Sequence, residues 1–229
     1  MKLKPHIPNI ITCLNLVCGC LAIHFAYRGA IMYSGFSIFA AAVFDFADGL
    51  TARALNVKSD IGKQLDSLSD IVSFGVAPGA IMFHLMIMGE KLWKYGMPPY
   101  ITIIAVLLPV FSALRLAKFN IDKGQEDSFT GLPTPAMGLL IASLPLLITR
   151  RFESPLFPFN DWVLYFVLNP WVLIVATLLL CILMVSKLPL FAMKFKSWKW
   201  SENKLRYIFV IVSVLLLLLF FFIAIHLQI

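Results

Sequence analysis

Long apolar runs separated by short polar turns dominate this chain, and a membrane span needs roughly 20 mostly apolar residues. By that measure the sequence predicts spans near 10 to 27, 31 to 54, 62 to 88, 98 to 119, 133 to 149, 162 to 186 and 206 to 227. The expected fold is therefore all-α, a polytopic transmembrane helix bundle. The pair Asn169-Pro170 falls inside the sixth run. Proline there removes a backbone donor and clashes with the preceding turn, so that span is open to breakage and the total to being six or eight. No polar stretch is long enough for a soluble core, so 1–229 reads as a single integral membrane domain.

Composition agrees with this pattern. The chain is 60% hydrophobic and 14% charged, where a soluble domain devotes about a quarter of its residues to charge. A net charge of +7 reads as Lys and Arg retained in cytoplasmic loops rather than as a nucleic-acid surface. The loop between the sixth and seventh spans holds Lys187, Lys194, Lys196, Lys199, Lys204 and Arg206 against Glu202, which makes it cytoplasmic. Threading backward puts the N-terminus, the 55 to 61 turn and the 120 to 132 loop inside too, where Lys2, Lys4, Lys58 and Lys123 agree. Arg28, Lys91, Lys94, Arg150 and Arg151 fall outside. The 194 to 206 stretch, interleaved with Phe195, Trp198 and Trp200, is either a topology signal or a surface for anionic lipid. Cys13, Cys18, Cys20 and Cys181 sit in apolar runs without histidine partners and read as packing. Lys2 and Lys4 imitate a signal peptide, but Pro8, Asn9, Thr12 and Asn15 interrupt the run too early, which predicts a retained first helix.

The chemistry has to come from polar residues inside the helices. Of twelve acidic residues, five lie between 45 and 70: Asp45, Asp48, Asp60, Asp66 and Asp70. Asp45 and Asp48, at i and i+3, share one face of the second helix. Gly62, Asp66 and Asp70, at i, i+4 and i+8, form a stripe on the third that drifts roughly 40° per step. A short turn makes these helices antiparallel neighbours, so four carboxylates are expected to converge at one membrane face. Such a group needs divalent metal to offset its repulsion, and all-oxygen ligands favour Mg²⁺ or Mn²⁺, with two ions suiting phosphoryl chemistry. Asp60 lies off both stripes and reads as a helix cap.

Neighbouring residues admit two readings each. Gly49 and Ala52 leave room for a ligand beside Asp48, or simply let helices pack. Arg53 could reach a diphosphate, or only mark a cytoplasmic helix end. Asn9, Thr12 and Asn15 share a face where neutral groups could hold a cytidine or phosphate oxygen, with helix capping by Asn9 or Thr12 as the alternative. Arg115 lies inside a membrane helix, where an unpaired guanidinium is costly, so it pairs with a carboxylate of the protein or of a substrate. With Asn120 it could bind the carboxylate of a small acceptor or a donor phosphate. Intramembrane Asp also marks cation transporters, but those place it near the midplane with repeat symmetry. Here the cluster lies at one face and no repeat exists, leaving a transporter as the remote alternative.

Read together, Asp45-x2-Asp48-Gly49-x2-Ala52-Arg53-x8-Gly62-x3-Asp66-x3-Asp70 places eight fixed residues over 26 positions and resembles the signature of the CDP-alcohol phosphotransferase family. The resemblance implies a membrane enzyme with a six-helix core, here with one or two extra C-terminal helices, assembled as a homodimer. It implies that Asp45, Asp48 and Asp66 correspond to metal ligands and Asp70 to a ligand that is also the catalytic base. The CDP-donor site then falls to Gly49, Ala52, Arg53 and Gly62, with Asn9 and Thr12. The segments Ser69 to Gly79, Pro8 to Asn15, Arg115 to Asn120 and Gly131 to Pro135 resemble the branch of the family that uses serine, so Arg115 and Asn120 are candidates for serine or phosphate. This likeness covers roughly residues 5 to 150, which makes 1–150 the catalytic core and 151–229 additional transmembrane helices. It implies transfer of the phosphatidyl group from CDP-diacylglycerol to L-serine among membrane lipids, on the cytoplasmic side of the inner membrane. Glycerol 3-phosphate or an inositol phosphate is the alternative acceptor.

Overall fold

The computed structural model describes residues 6–57, 59–121, 129–153, 160–187 and 189–190. The expected seventh span, the basic 194 to 206 stretch, and Lys2, Lys4, Lys58 and Lys123 lie outside the described residues.

The chain opens with an antiparallel hairpin of α1 (His6–Tyr27) and α2 (Ile31–Ala54). Gly29, at φ +75°, turns the chain between them. Ser34 Oγ donates to Ala22 O at 2.7 Å, pinning the closed end of the hairpin. Asn56 takes a left-handed φ of 49°, and Val57 N donates back to Ala52 O at 3.0 Å, which ends α2. The next helix is capped by Ser59, whose Oγ accepts from Gly62 N at 3.2 Å. Asp60, expected as the cap, is instead the first helical residue, where a carboxylate suits the positive end of the helix dipole.

The expected third span is a single rod, Asp60–Trp93, but not a regular one. It consists of α3 (Asp60–Ile71), a π-helical turn (Val72–Val76) and α4 (Ala77–Trp93). The turn begins two residues after Asp70. A π turn adds a residue to the helical period and so rotates the faces beyond it by about 100°. A 3₁₀ stretch (Pro99–Val106) leads into α5 (Leu107–Ile121), followed by α6 (Thr134–Glu153). The sixth run is broken where the sequence left it open, into α7 (Asn160–Val167) and α8 (Pro170–Val185). Pro170 fits the first turn of α8 because no intrahelical partner is needed there. Asn169 Oδ1 caps that helix by accepting from Trp171 N at 3.0 Å.

Among the described residues, four helices are long and apolar enough to cross a membrane: His6–Tyr27, Ile31–Ala54, Asp60–Trp93 and Pro99–Ile121. The chain is a multi-pass membrane protein. The fifth expected span is met by α6, and of the sixth the longer apolar piece is Pro170–Val185. Sixteen residues of α8 cover about 24 Å, less than the ~30 Å hydrocarbon layer. The helical pattern has one small exception, a two-residue antiparallel pair that sets Phe129–Thr130 against Pro189–Leu190.

The packed interior is apolar and includes Ile38, Phe74, Ile81, Met82, Leu85, Leu108, Met137 and Ile141, each fully buried. Many apolar side chains point outward instead, among them Val43, Ile103 and Val175, as a lipid-facing surface allows.

Gly131 joins the α6 entry to the end of α8. Its φ is +75°, and a Cβ there would lie 2.6 Å from Met184 O and 2.9 Å from Ser186 O. Gly96 has a similar φ of +68° but open space around it. Gly96→Ala should therefore cost only the left-handed backbone strain, about 1–2 kcal/mol. Gly131→Ala adds a clash with helix-end carbonyls and should lower the apparent melting temperature in detergent by clearly more, measured on the two variants side by side.

Candidate metal and substrate site

Three elements bring their polar residues to one end of the bundle: the start of α1, the end of α2 and the start of α3. Asp45 and Asp48 meet Asp66 across the α2–α3 turn, and one carboxylate oxygen from each lies within 4.8 Å of the others. The charges that Asp45 feels most are those of Asp66 and Asp48. Asp66 in turn feels that of Asp48. Three carboxylates this close, partly withdrawn from water, repel one another unless a cation sits among them. Their geometry and all-oxygen chemistry fit a hard divalent ion, so this set could hold a metal.

Four carboxylates were expected to converge, and Asp70 lies outside the set of three. It is one turn further along α3 and only 8% exposed. It still interacts electrostatically with Asp45, Asp66 and Asp48. Arg115 of α5 interacts electrostatically with Asp70.

Helix α1 supports the carboxylates from outside their motif. Thr12, 3% exposed, donates through Oγ1 to Asp48 Oδ2 at 2.5 Å, with Pro8 O at 3.1 Å as a second acceptor. Asn15 is fully buried, and its Nδ2 lies 3.4 Å from Asp70 Oδ1. The capping alternative for Asn9 and Thr12 does not hold, because α1 already begins at His6. Two serines of α3 and the π turn complete the join: Ser69 Oγ donates to Thr12 O at 3.3 Å, and Ser73 Oγ to Asn15 O at 3.0 Å.

Beside the carboxylates opens a cleft of about 400 Å³. Asn9, Thr12, Gly49, Ala52 and Gly62 all line it, with Asp48 and Asp66. Gly62 lies close to Asn9, since a Cβ would stand 2.8 Å from Asn9 Oδ1 and the amide would have to move aside. Arg53 is not among the lining residues: it is exposed, and its Nε donates to Gly49 O of its own helix at 3.0 Å. Among the described residues, the cation that lines the cleft is Lys63. Sequence reasoning passed over it because it occupies an unspecified position between Gly62 and Asp66. Ser59 and Asp60 line the same cleft.

Arg115 and Asn120 also stand apart from this cleft. Arg115 is half-buried; one guanidinium nitrogen donates to Thr134 Oγ1 at 3.3 Å, and its Nε is buried without a partner among the described residues. Asn120 Nδ2 donates to Ser67 Oγ at 2.8 Å, which ties the end of α5 to α3.

The family model described as CDP-alcohol phosphatidyltransferase matches residues 5–183. A Bacillus subtilis (strain 168) protein named CDP-diacylglycerol–serine O-phosphatidyltransferase is 34% identical over 183 residues, covering 80% of this chain and 88% of that protein. A Helicobacter pylori (strain J99) protein of the same name is 34% identical over 142 residues, 61% of this chain and 57% of its own. A Methanothermobacter thermautotrophicus protein named archaetidylserine synthase is 33% identical over 144 residues, 61% of this chain and 58% of its own. The chain thus spans most of the first relative and little more than half of the other two.

Outer hydrogen bonds to a ligand carboxylate typically carry about 10- to 100-fold in metal affinity. Thr12→Val keeps the shape of the threonine and removes the hydroxyl on Asp48. It should weaken binding of Mn²⁺ by about that factor, read by electron paramagnetic resonance titration of the purified protein.

Proposed function

We propose a phosphatidyl transfer for this chain, which belongs to the CDP-alcohol phosphatidyltransferase family: CDP-diacylglycerol plus L-serine gives phosphatidylserine plus CMP. The observation that carries this reading is a three-carboxylate set beside a cleft, with a fourth carboxylate one turn away and outside the set. Serine and CDP-diacylglycerol come from the names that the relatives bear.

Asp45, Asp48 and Asp66 would hold Mg²⁺ or Mn²⁺, two ions in the fullest form, and these would supply positive charge to the donor's diphosphate. The nucleotide end of the donor enters the cleft among Asn9, Gly49, Ala52 and Gly62, where small residues leave room. Lys63 meets its phosphate oxygens. Arg53, held by its Nε on Gly49 O, offers its remaining N–H groups to the same anion from the rim as a secondary contact. The acyl chains stay in lipid.

Asp70 then acts as general base. Beside the other three and within reach of their charges, it serves both as a further metal ligand and as the acceptor of the proton from the serine hydroxyl. That oxygen bonds to the phosphorus carrying diacylglycerol, and the bond from this phosphorus to the bridging oxygen of CMP breaks. Arg115, next to Asp70, faces the serine carboxylate. Asn120 holds the adjoining part of α3 through Ser67. We assign residues 1–150 to this catalytic core and the later helices to its membrane setting. The basic loops of the sequence support a site on the cytoplasmic side of the inner membrane, where serine is dissolved, and we take the working form to be the homodimer that the family resemblance implies.

Purified protein given CDP-diacylglycerol and Mg²⁺ or Mn²⁺ should release CMP with L-serine but not with glycerol 3-phosphate or an inositol phosphate. Preference for another acceptor overturns the serine assignment and keeps the chemistry. Chelation should abolish release, and either ion should restore it. Asp70→Asn should lower turnover by about 10²- to 10⁴-fold; wild-type turnover in that variant removes Asp70 as the base.

Lys63→Met should raise the KM for CDP-diacylglycerol several-fold with little change in kcat, and Lys63→Arg should restore it. An unchanged KM would take Lys63 out of the donor site.

A further inference from the structure

We propose that Asn15, outside the 45–70 motif, is the positioning residue of Asp70; this rests on reading Asp70 as the base. Asn15 was a candidate for touching nucleotide or phosphate, and its burial decides against that. The side chain is 0% exposed, and its Oδ1 is enclosed with no partner among the described residues. A substrate cannot reach it. What Asn15 does reach is Asp70 Oδ1, 3.4 Å from Nδ2. At that distance the hydrogen bond is weak, so its worth lies in direction rather than in stability.

The rest of the join fixes where the amide sits. Ser73 Oγ holds Asn15 O at 3.0 Å, and Ser69 Oγ holds Thr12 O one turn earlier at 3.3 Å. Gly19, one turn after Asn15, lets α1 come this close, since a Cβ there would stand 2.9 Å from Ser73 Cα. Asn15 therefore cannot drift relative to Asp70 without breaking bonds on both helices. A buried amide oxygen left unpaired is destabilising. Leucine, which has the same heavy-atom branching though bulkier methyl ends, would place no unpaired polar atom there. A residue that is poor for stability, rigidly anchored and aimed at one carboxylate oxygen is suited to hold that carboxylate toward the acceptor hydroxyl. Thr12 holds Asp48 from the same face of α1, three residues away. One helix thus orients two carboxylates that belong to two others.

The test is CMP release by Asn15→Leu in the full chain. A misaimed base slows the chemical step and leaves substrate binding alone. The kcat should fall about 10- to 100-fold, with KM for CDP-diacylglycerol and for serine within about 3-fold. Mn²⁺ affinity by electron paramagnetic resonance and the apparent melting temperature should match wild type or exceed it. On an Asp70→Asn background the same replacement should change residual turnover less than about 2-fold, because residues acting as a unit are not additive. Wild-type kcat in Asn15→Leu overturns the proposal, as does a loss of kcat matched by lost Mn²⁺ affinity or lost stability. If Asn15→Leu does not fold, Ser73→Ala decides: a several-fold lower kcat at unchanged KM supports the proposal, and an unchanged kcat overturns it. Failure of the functional reading shows separately, as wild-type protein that releases no CMP with serine.

Discussion

Everything at the working end of this molecule depends on keeping acidic side chains together at the edge of a lipid-surrounded bundle. Asp45, Asp48 and Asp66 present oxygens within 4.8 Å of one another, and Asp70 is buried next to them. Carboxylates crowded this way are destabilising in a low dielectric, so each needs a donor or a cation. Short-range help comes from neutral groups: Thr12 on Asp48 and Asn15 on Asp70. Neutral donors offset only part of the repulsion, and what is left over is what attracts a divalent ion. The repulsion among these carboxylates and their affinity for metal are one property.

That requirement explains the register between α1 and the rod that follows α2. Hydroxyls of Ser69 and Ser73 donate to carbonyls of α1, so the two helices touch through hydrogen bonds that lock sliding as well as distance. Just beyond Asp70 the π turn rotates the helix. It lets the segment before it face α1 and the carboxylates while the segment after it feeds Ile81, Met82 and Leu85 into the apolar core, beside Phe74 of the turn itself. A regular α-helix through Val72–Val76 would put one of those two faces out of place.

The cations are arranged with similar economy. Arg53 is exposed and folded onto Gly49 O, whereas Lys63 lines the cleft and Arg115 stands by Asp70. Keeping guanidinium groups away from the three-carboxylate set leaves that set for metal. Had Arg53 paired with Asp48, the same residues would have made an ion pair of little chemical use.

The sequence by itself determined the helical membrane fold, because apolar runs of span length can satisfy their backbone in lipid only as helices. It also determined which carboxylates share a face, since i, i+3 and i+4 spacings are properties of one helix and need no neighbour. The ends of α2 and the break before Pro170 were legible for the same local reason. Whatever depended on contacts between helices was not. No spacing rule says that Asn15 is sealed against Asp70 while Thr12 lines a cleft, that Arg53 turns away where Lys63 turns in, or that Asp70 stands outside the set of three. The cap at Ser59 rather than Asp60 and the π turn at Val72–Val76 belong to this group as well, because each is chosen among near-equal local options by the packing of α1 and α5 around α3. Periodicity selects which side chains share a face of one helix, and only the tertiary structure decides what that face meets.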